Sequence, residues 1–528
     1  MVRSVGVPAE APTARRGGRP LALAVLCTIL FLTFLDNTVV SVGLGSVQTD
    51  LHAGVAHLQW VVSAYALTFA GAMLAFGMVA DEFGRKRVML VGAGIFCAGS
   101  VLSALASNVD LLIAGRAVMG FGAAASEPGT LSMLRHLYTD ERTRTRALGV
   151  WTAVSSLALA LGPVVGGALV GVWSWRAIFW FNLFFGLAAL VAGILVLPEN
   201  ADPDAHRVDI PGFVLGAGAL SALIFGVINA ESTTFTSPDV LGLLCLSVIT
   251  GAAFFWWERR AAHPLLDVRF LRVPCFLTAN VVAYCAYFAT FAVFFFTALY
   301  LYEVVGDSGY QIALIFLPMT TAMIAASLLA GRWSTAAGPR WSIFIGCVLF
   351  SAGLLLTTFT LSPSPPYAPL ALALTLTGIG VGSTVVPITS SALTAVPPER
   401  SGMAASATNT SREIGAVTGV AVLGALVNAQ LRSSLTASMV HLHIPDSFQS
   451  IAINIIETGG LAGGAGKNSV GSAAAGEGKL IQEMTRAAYN AFYSGLHAAL
   501  FLSAFLVLAA GIYAFATLGG LQRQTDPT

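Results

Sequence analysis

Charge is scarce in this 528-residue chain: Asp, Glu, Lys and Arg make up only 10% of it, against about 25% in an average soluble protein. That excludes a soluble fold. The net charge of +1 leaves no field to gather nucleic acid or an acidic ligand, so no nucleic-acid partner is expected. Cysteine is scarce too. Cys27, Cys97, Cys245, Cys275, Cys285 and Cys347 lie singly in apolar stretches, with no pair at metal-ligand or redox spacing. They read as small core residues, and neither a metal nor another cofactor is expected. No nucleophile and base pair emerges, and the glycine-rich run from Gly459 to Gly466 lacks the lysine and helix of a phosphate loop. An enzyme is therefore not expected.

What the chain has instead is apolar length, 56% of its residues. A helix needs about 20 apolar residues to cross a bilayer, where only a helix or a closed barrel satisfies its own backbone. About fourteen runs reach that length, from Leu21–Leu44 at one end to Tyr493–Leu518 at the other. Lys and Arg gather in alternate connections: Arg15 and Arg16 before the first run, then Arg85 to Arg87, Arg142 to Arg146, Arg259 and Arg260, and Arg332 and Arg340. The bias toward one side places both termini in the cytoplasm and the chain in the cell membrane as a multi-pass protein. Trp173, Trp175, Trp256 and Trp257 fall at the expected interfaces. A long connection, 429–492, would lie on the outer side as a flexible loop or a lid.

The sequence also repeats itself. Gly77, Gly84 and Lys86 in one connection keep the register of Gly331, Gly338 and Arg340 in another, and Gly120 and Gly122 are echoed by Gly378, Gly380 and Gly382. Two related bundles of six helices, 21–197 and 259–518, are the economical reading. Two inserted helices occupy 198–258, and short tails lie at 1–20 and 519–528. Such repeats suit a transporter whose halves rock around a site near the membrane midplane.

These residues carry a resemblance to the major facilitator superfamily, and within it to the fourteen-span drug:proton antiporters. Leu35 to Val40 resembles the first-span signature and Gly77 to Arg87 the connection between spans two and three. Leu112 to Gly122, around Arg116, resembles the fourth-span motif. Gly162, Pro163, Gly166 and Gly167 resemble the fifth-span antiporter motif, and Pro398 to Gly415, with Arg412, Glu413 and Gly415, the late signature. The resemblance implies a proton-coupled exporter of amphipathic small molecules, with the proton as coupling ion, the bilayer as surroundings and a monomer as the working unit. A dedicated exporter of a lipid, siderophore or self-made antibiotic fits the same motifs, and a non-transporting receptor is the reading from another class.

The motif residues invite a physical reading. Asp36 and Arg116 sit at matching depths, and an ionisable group in the membrane costs at least about 2.5–3.5 kcal/mol unless paired or wet. They form either a static pair or a proton site that Arg116 keeps ionised. Glu127, about three turns beyond Arg116 on the same helix face, is either a second proton site, a recognition group for a cationic substrate, or a neutral acid bonded to a neighbouring helix. Asp81, between two glycines, would cap the third helix or latch onto Arg142 or Arg144 as a cytoplasmic gate, beside Gly77, Gly84, Arg85 and Lys86. Gly162, Pro163, Gly166 and Gly167 form a small-residue packing face, echoed at Gly415. Arg412 and Glu413, read as close to the cytoplasmic end of the thirteenth span, would either snorkel to the interface or pair with each other's neighbours, in a structural or gating role. The aromatics of the ninth span, among them Phe291, Phe294, Phe295, Phe296 and Tyr300, would face lipid, neighbouring helices or a cavity.

Overall fold

A computed structural model describes residues 19–525 apart from 139, 200–208, 233–234, 263, 363–364, 398–400 and 442–476. Among the described residues the chain is helical throughout, with no strand. The first bundle contains α1 (Arg19–Val39), α2 (Leu44–Leu51), α3 (Val55–Phe83), α4 (Arg85–Ala104), α5 (Val109–Leu137), α6 (Glu141–Val172) and α7 (Arg176–Val196). A 3-10 turn, Val40–Gly43, joins α1 to α2 as one continuous rod. The inserted pair is α8 (Ile210–Ser232) and α9 (Pro238–Glu258). The second bundle contains α10 (Pro274–Ala292), α11 (Ala298–Tyr300), α12 (Gly309–Ala337), α13 (Pro339–Thr360), α14 (Tyr367–Thr394), α15 (Ser401–His441) and α16 (Glu477–Thr525).

Twelve of these helices, counting α1 with α2 and α10 with α11, are long and apolar enough to cross a membrane. The remaining two long stretches expected from the sequence fall on α3 and α6. The connection expected at 429–492 is shorter at both ends, because α15 continues to His441 and α16 starts at Glu477. Leu, Ala, Gln and Met in those flanks are good helix formers, so a polar stretch stays helical where hydropathy alone reads a loop. The middle of that connection, including Gly459, lies outside the described residues.

The internal repeat has a physical basis. Gly84 and Gly338 both adopt positive φ, +102° and +81°, in the turns that launch α4 and α13. A side chain is strained there, which explains why both copies keep glycine. Gly120 of α5 faces the backbone carbonyl of Tyr65 on α3, and Gly378 of α14 faces that of Met319 on α12. Two residues on, around the other side of the helix, Gly122 and Gly380 press against the backbone nitrogens of Phe96 and Phe350. In each bundle, then, the fourth span is held between the second and third at distances that admit no Cβ.

The two bundles meet along two seams, α6 against α12 and α3 against α15. The inserted pair stands at the second seam, where α8 packs on both α3 and α15 while α9 rests mainly on α8. Within α10 and its continuation, two π-helical turns, Val293–Thr297 and Leu301–Val305, flank α11. Phe291, Phe294, Phe295, Phe296 and Tyr300 are buried there, so this aromatic run turns inward instead of toward lipid. Trp173 and Trp256 are exposed as a belt would be, but Trp175 is buried and donates its indole N–H to Asp50. Of the cysteines, Cys27, Cys97 and Cys347 are core residues, whereas Cys245 is exposed on α9.

Candidate functional site

Asp36 lies near the end of α1, one turn before the helix tightens into its 3-10 segment, and is fully buried. A carboxylate survives there only if its oxygens find donors. Oδ2 accepts from Arg116 Nη1 of α5 in an ion pair, and Oδ1 accepts from Asn182 Nδ2 of α7 at 2.6 Å. Arg116 is itself 1% exposed; its Nε donates to the Val61 carbonyl at 3.0 Å and its guanidinium lies 4.5 Å from the Tyr65 ring centroid. Tyr65 in turn donates to the Thr33 carbonyl at 2.9 Å. Four helices of the first bundle thus converge on one charge pair. Removing either partner of such a pair costs about 3–5 kcal/mol, since it strands a buried charge.

The glycines of the fifth-span motif place that pair. Gly162 and Gly166 of α6 lie against Thr38 and Val39, immediately after Asp36 and Asn37, and Gly167 lies against Gly309 and Ala313 of α12. One small-residue face therefore serves twice, seating α6 on α1 within the bundle and on α12 across the first seam. Pro163 sits inside α6 between those contacts. On α15, Gly415 faces the Tyr284 carbonyl of α10, a packing role like its counterparts.

A second polar cluster spans the halves. Glu127 of α5, 1% exposed, accepts from Asn409 Nδ2 of α15 at 2.7 Å. The same amide's oxygen accepts from Arg412 Nη1 at 3.1 Å, so Asn409 relays between a carboxyl of one bundle and a guanidinium of the other. Arg412 also donates to Thr389 Oγ1 and lies 5.3 Å from the Tyr287 ring centroid. Glu413, again 1% exposed, accepts from Asn37 Nδ2 of α1 at 3.0 Å. Arg412 and Glu413 do not snorkel. They lie about three turns into α15, by its rise of about 1.5 Å per residue, and both are buried.

The glycine-rich connection between α3 and α4 is a tight turn with a basic rim. Lys86 Nζ donates to the Ile194 carbonyl at 2.9 Å and Arg87 lies 3.5 Å from Glu199, tying the start of α4 to the end of α7. Arg85 is half-buried beside them. Asp81 is not the cap of α4: Gly84 holds that position, with no side-chain bond, and Asp81 belongs to the last turn of α3. The side chains of Asp81, Arg142 and Arg144, and the surroundings of Gly77, lie outside the described residues.

Sequence reading missed Asn37, Asn182 and Asn409. Only Asn182 is a lone amide in an apolar run, and that isolation could have marked it; Asn37 stands beside Asp36 and Asn409 among Ser, Thr and Arg, where nothing sets an amide apart. Among the described residues no group of three or more His, Cys, Asp or Glu could hold a metal.

Comparison with known proteins adds a lineage to this geometry. The sequence pattern of the Major Facilitator Superfamily matches residues 26–420. The chain is 33% identical over 420 residues to the multidrug resistance protein Stp of Mycobacterium tuberculosis, covering 80% of this chain and 78% of that one. It is 29% identical to the multidrug efflux pump LfrA of Mycolicibacterium smegmatis, covering 96% and 97%. It is 33% identical to the methylenomycin A resistance protein of Bacillus subtilis, covering 77% and 87%. Among solved structures, a bacterial homolog of the human lysosomal transporter Spinster, inward-facing and unoccupied, superimposes with a TM-score of 0.64 at 16% identity, covering 97% of this chain and all of that one.

Proposed function

The chain belongs to the Major Facilitator Superfamily, and on that premise we propose that it is a proton-coupled antiporter that exports amphipathic small molecules across the cell membrane by alternating access. Relatives named for multidrug efflux and for antibiotic resistance, Stp and LfrA among them, support export as the direction and drugs as the cargo. The observation that carries proton coupling is the buried pair of Asp36 and Arg116. Arg116 is the counter-ion of that carboxylate, so a proton arriving with water competes with the arginine for Asp36. A proton then dissolves the ion pair that fastens α1 to α5, and α1 also borders the second bundle through Asn37. One titration is in this way linked to the packing of the halves.

Glu127 serves as the acidic recognition group for a cationic substrate, held in place by Asn409 and Arg412. The basic connections face the cytoplasm, as do both termini, and the chain works as a monomer with fourteen crossings. Asp81, with Arg142 and Arg144, latches the cytoplasmic side. Substrates are small and amphipathic; the proton is the coupling ion.

The test is proton movement in proteoliposomes under an imposed pH gradient, with ethidium and tetraphenylphosphonium as probes. Addition of substrate to the wild-type protein triggers proton release, and Asp36→Asn abolishes it. Ethidium movement with no accompanying proton in the wild type sinks the antiport reading.

A further inference from the structure

Two hydrogen bonds that cross between the bundles are mirror images in chemistry. Asn37 of the first bundle donates to Glu413 of the second, and Asn409 of the second donates to Glu127 of the first. Asn409 and Glu413 are four residues apart on α15, so both bonds issue from one face of one helix. In each carboxyl, one oxygen is bonded and Oε2 has no partner among the described residues. A buried carboxylate oxygen without a donor is costly; a carboxylic acid oxygen in the same place is far less so.

The charges at this centre decide which acid is neutral. Among the described residues, Asp36, Glu127 and Glu413 are buried with Arg116 and Arg412 as the buried cations. Arg116 is paired with Asp36. Arg412 reaches Glu127 through the Asn409 amide, donor to acceptor along the whole chain. Glu413 is left with a neutral amide as its bonded partner. The groups facing it are Glu127 from α5, Tyr65 from α3, Tyr287 from α10 and Arg412 on its own helix, all within electrostatic reach. Of these Arg412 alone is a cation, and it is already engaged.

We propose that Glu413 is a second proton-carrying carboxyl, protonated on its unpartnered oxygen while the bundles are joined, and linked to Asp36 through its neighbour Asn37. The proton on Oε2 passes to water when the seam at α15 opens, leaving a carboxylate that no longer tolerates the dry seam. Asp36 and Asn37 are adjacent on α1, immediately before the 3-10 turn, so a rotation of α1 on release of Arg116 also pulls Asn37 from Glu413. The transport role of this acid rests on the antiport reading above; its protonation in the resting protein does not.

Two measurements separate those claims. Infrared spectroscopy of the purified protein in lipid at neutral pH shows a carboxylic acid carbonyl band, removed in Glu413→Gln and retained in Glu127→Gln and Asp36→Asn. A wild type without that band, or a band that persists in Glu413→Gln, overturns the proposal. If Glu413→Gln fails to fold, a hydrophobic carbodiimide, which attacks protonated carboxyls, is applied to the wild type: adduct on Glu413 supports the assignment, and adduct confined to other carboxyls overturns it. For the transport role, the proton-to-ethidium ratio falls in Glu413→Gln and recovers in Glu413→Asp. An unchanged ratio overturns the coupling role, whereas ethidium movement without any proton in the wild type overturns the antiport reading and leaves the infrared result standing.

Discussion

Among the described residues the two bundles each bury one arginine at their centre, and they treat it in opposite ways. Arg116 is joined directly to a carboxylate, which a third helix steadies through Asn182. Arg412 touches an amide, a hydroxyl and an aromatic ring, and among the described residues it makes no ion pair. A repeat that preserves backbone contacts to the level of individual glycines has thus diverged in its electrostatics. The first bundle keeps its charge balanced within itself. The second balances its charge across the seam, through Asn409 and Glu127, so its arginine is fully compensated only while the bundles are together.

Substitutions at the two arginines test this contrast most severely. Asp36→Asn leaves Arg116 without its counter-ion and should lower stability by about 3–5 kcal/mol, read as a fall in the thermal midpoint of the purified protein, besides abolishing proton release. Arg412→Met removes a cation with neutral partners, and a hydrogen bond to a charged group is worth about 1.5–3 kcal/mol, so its midpoint should fall less than that of Arg116→Met. Equal losses in the two would erase the distinction. Gly120→Ala and Gly378→Ala probe the opposite prediction, that packing is shared: each directs a Cβ at a backbone carbonyl and should cost about 1–3 kcal/mol, by similar amounts. At the turns, Gly84→Ala should cost more than Gly338→Ala. Both incur roughly 1–3 kcal/mol for a positive-φ, extended backbone that is essentially glycine's alone, and at Gly84 the Glu199 carboxyl adds to this, lying 2.8 Å from where the new carbon would be. The smallest effect is expected at Lys86→Ala, where the Ile194 carbonyl keeps access to water and the change should stay within about 1 kcal/mol.

Much of this architecture is legible in the sequence because its causes are local. An apolar run long enough to cross a bilayer declares a helix by itself, and Gly84 and Gly338 declare their turns because glycine alone readily takes positive φ with an extended ψ. The pairing of Asp36 with Arg116 is readable from depth alone, since opposite charges at one level of a bundle have strong reason to meet. Glu127 stood out as an acid in an apolar stretch, but its partner did not, because an amide carries no charge to betray it. Arg412 and Glu413 were misplaced for a related reason. Hydropathy locates the apolar part of a helix, and the polar first turns of α15 hid how far inside these residues lie. Asn37 was beyond reach: its role depends on which face of α1 meets α15, a matter of tertiary arrangement.

The position of the inserted pair has a consequence for how a molecule dissolved in the bilayer meets this protein. Helix α8 covers the line where α3 meets α15, with the Phe225 ring 4.5 Å from that of Trp60 and Ala217 lying over Gly71. Among the described residues, the line where α6 meets α12 has no such cover from the inserted pair. Acyl chains therefore lap against one boundary and are fenced from the other. The two flanks of the protein are thus unlike: along one seam the leaflet meets the inserted pair, and along the other it meets the bundles themselves.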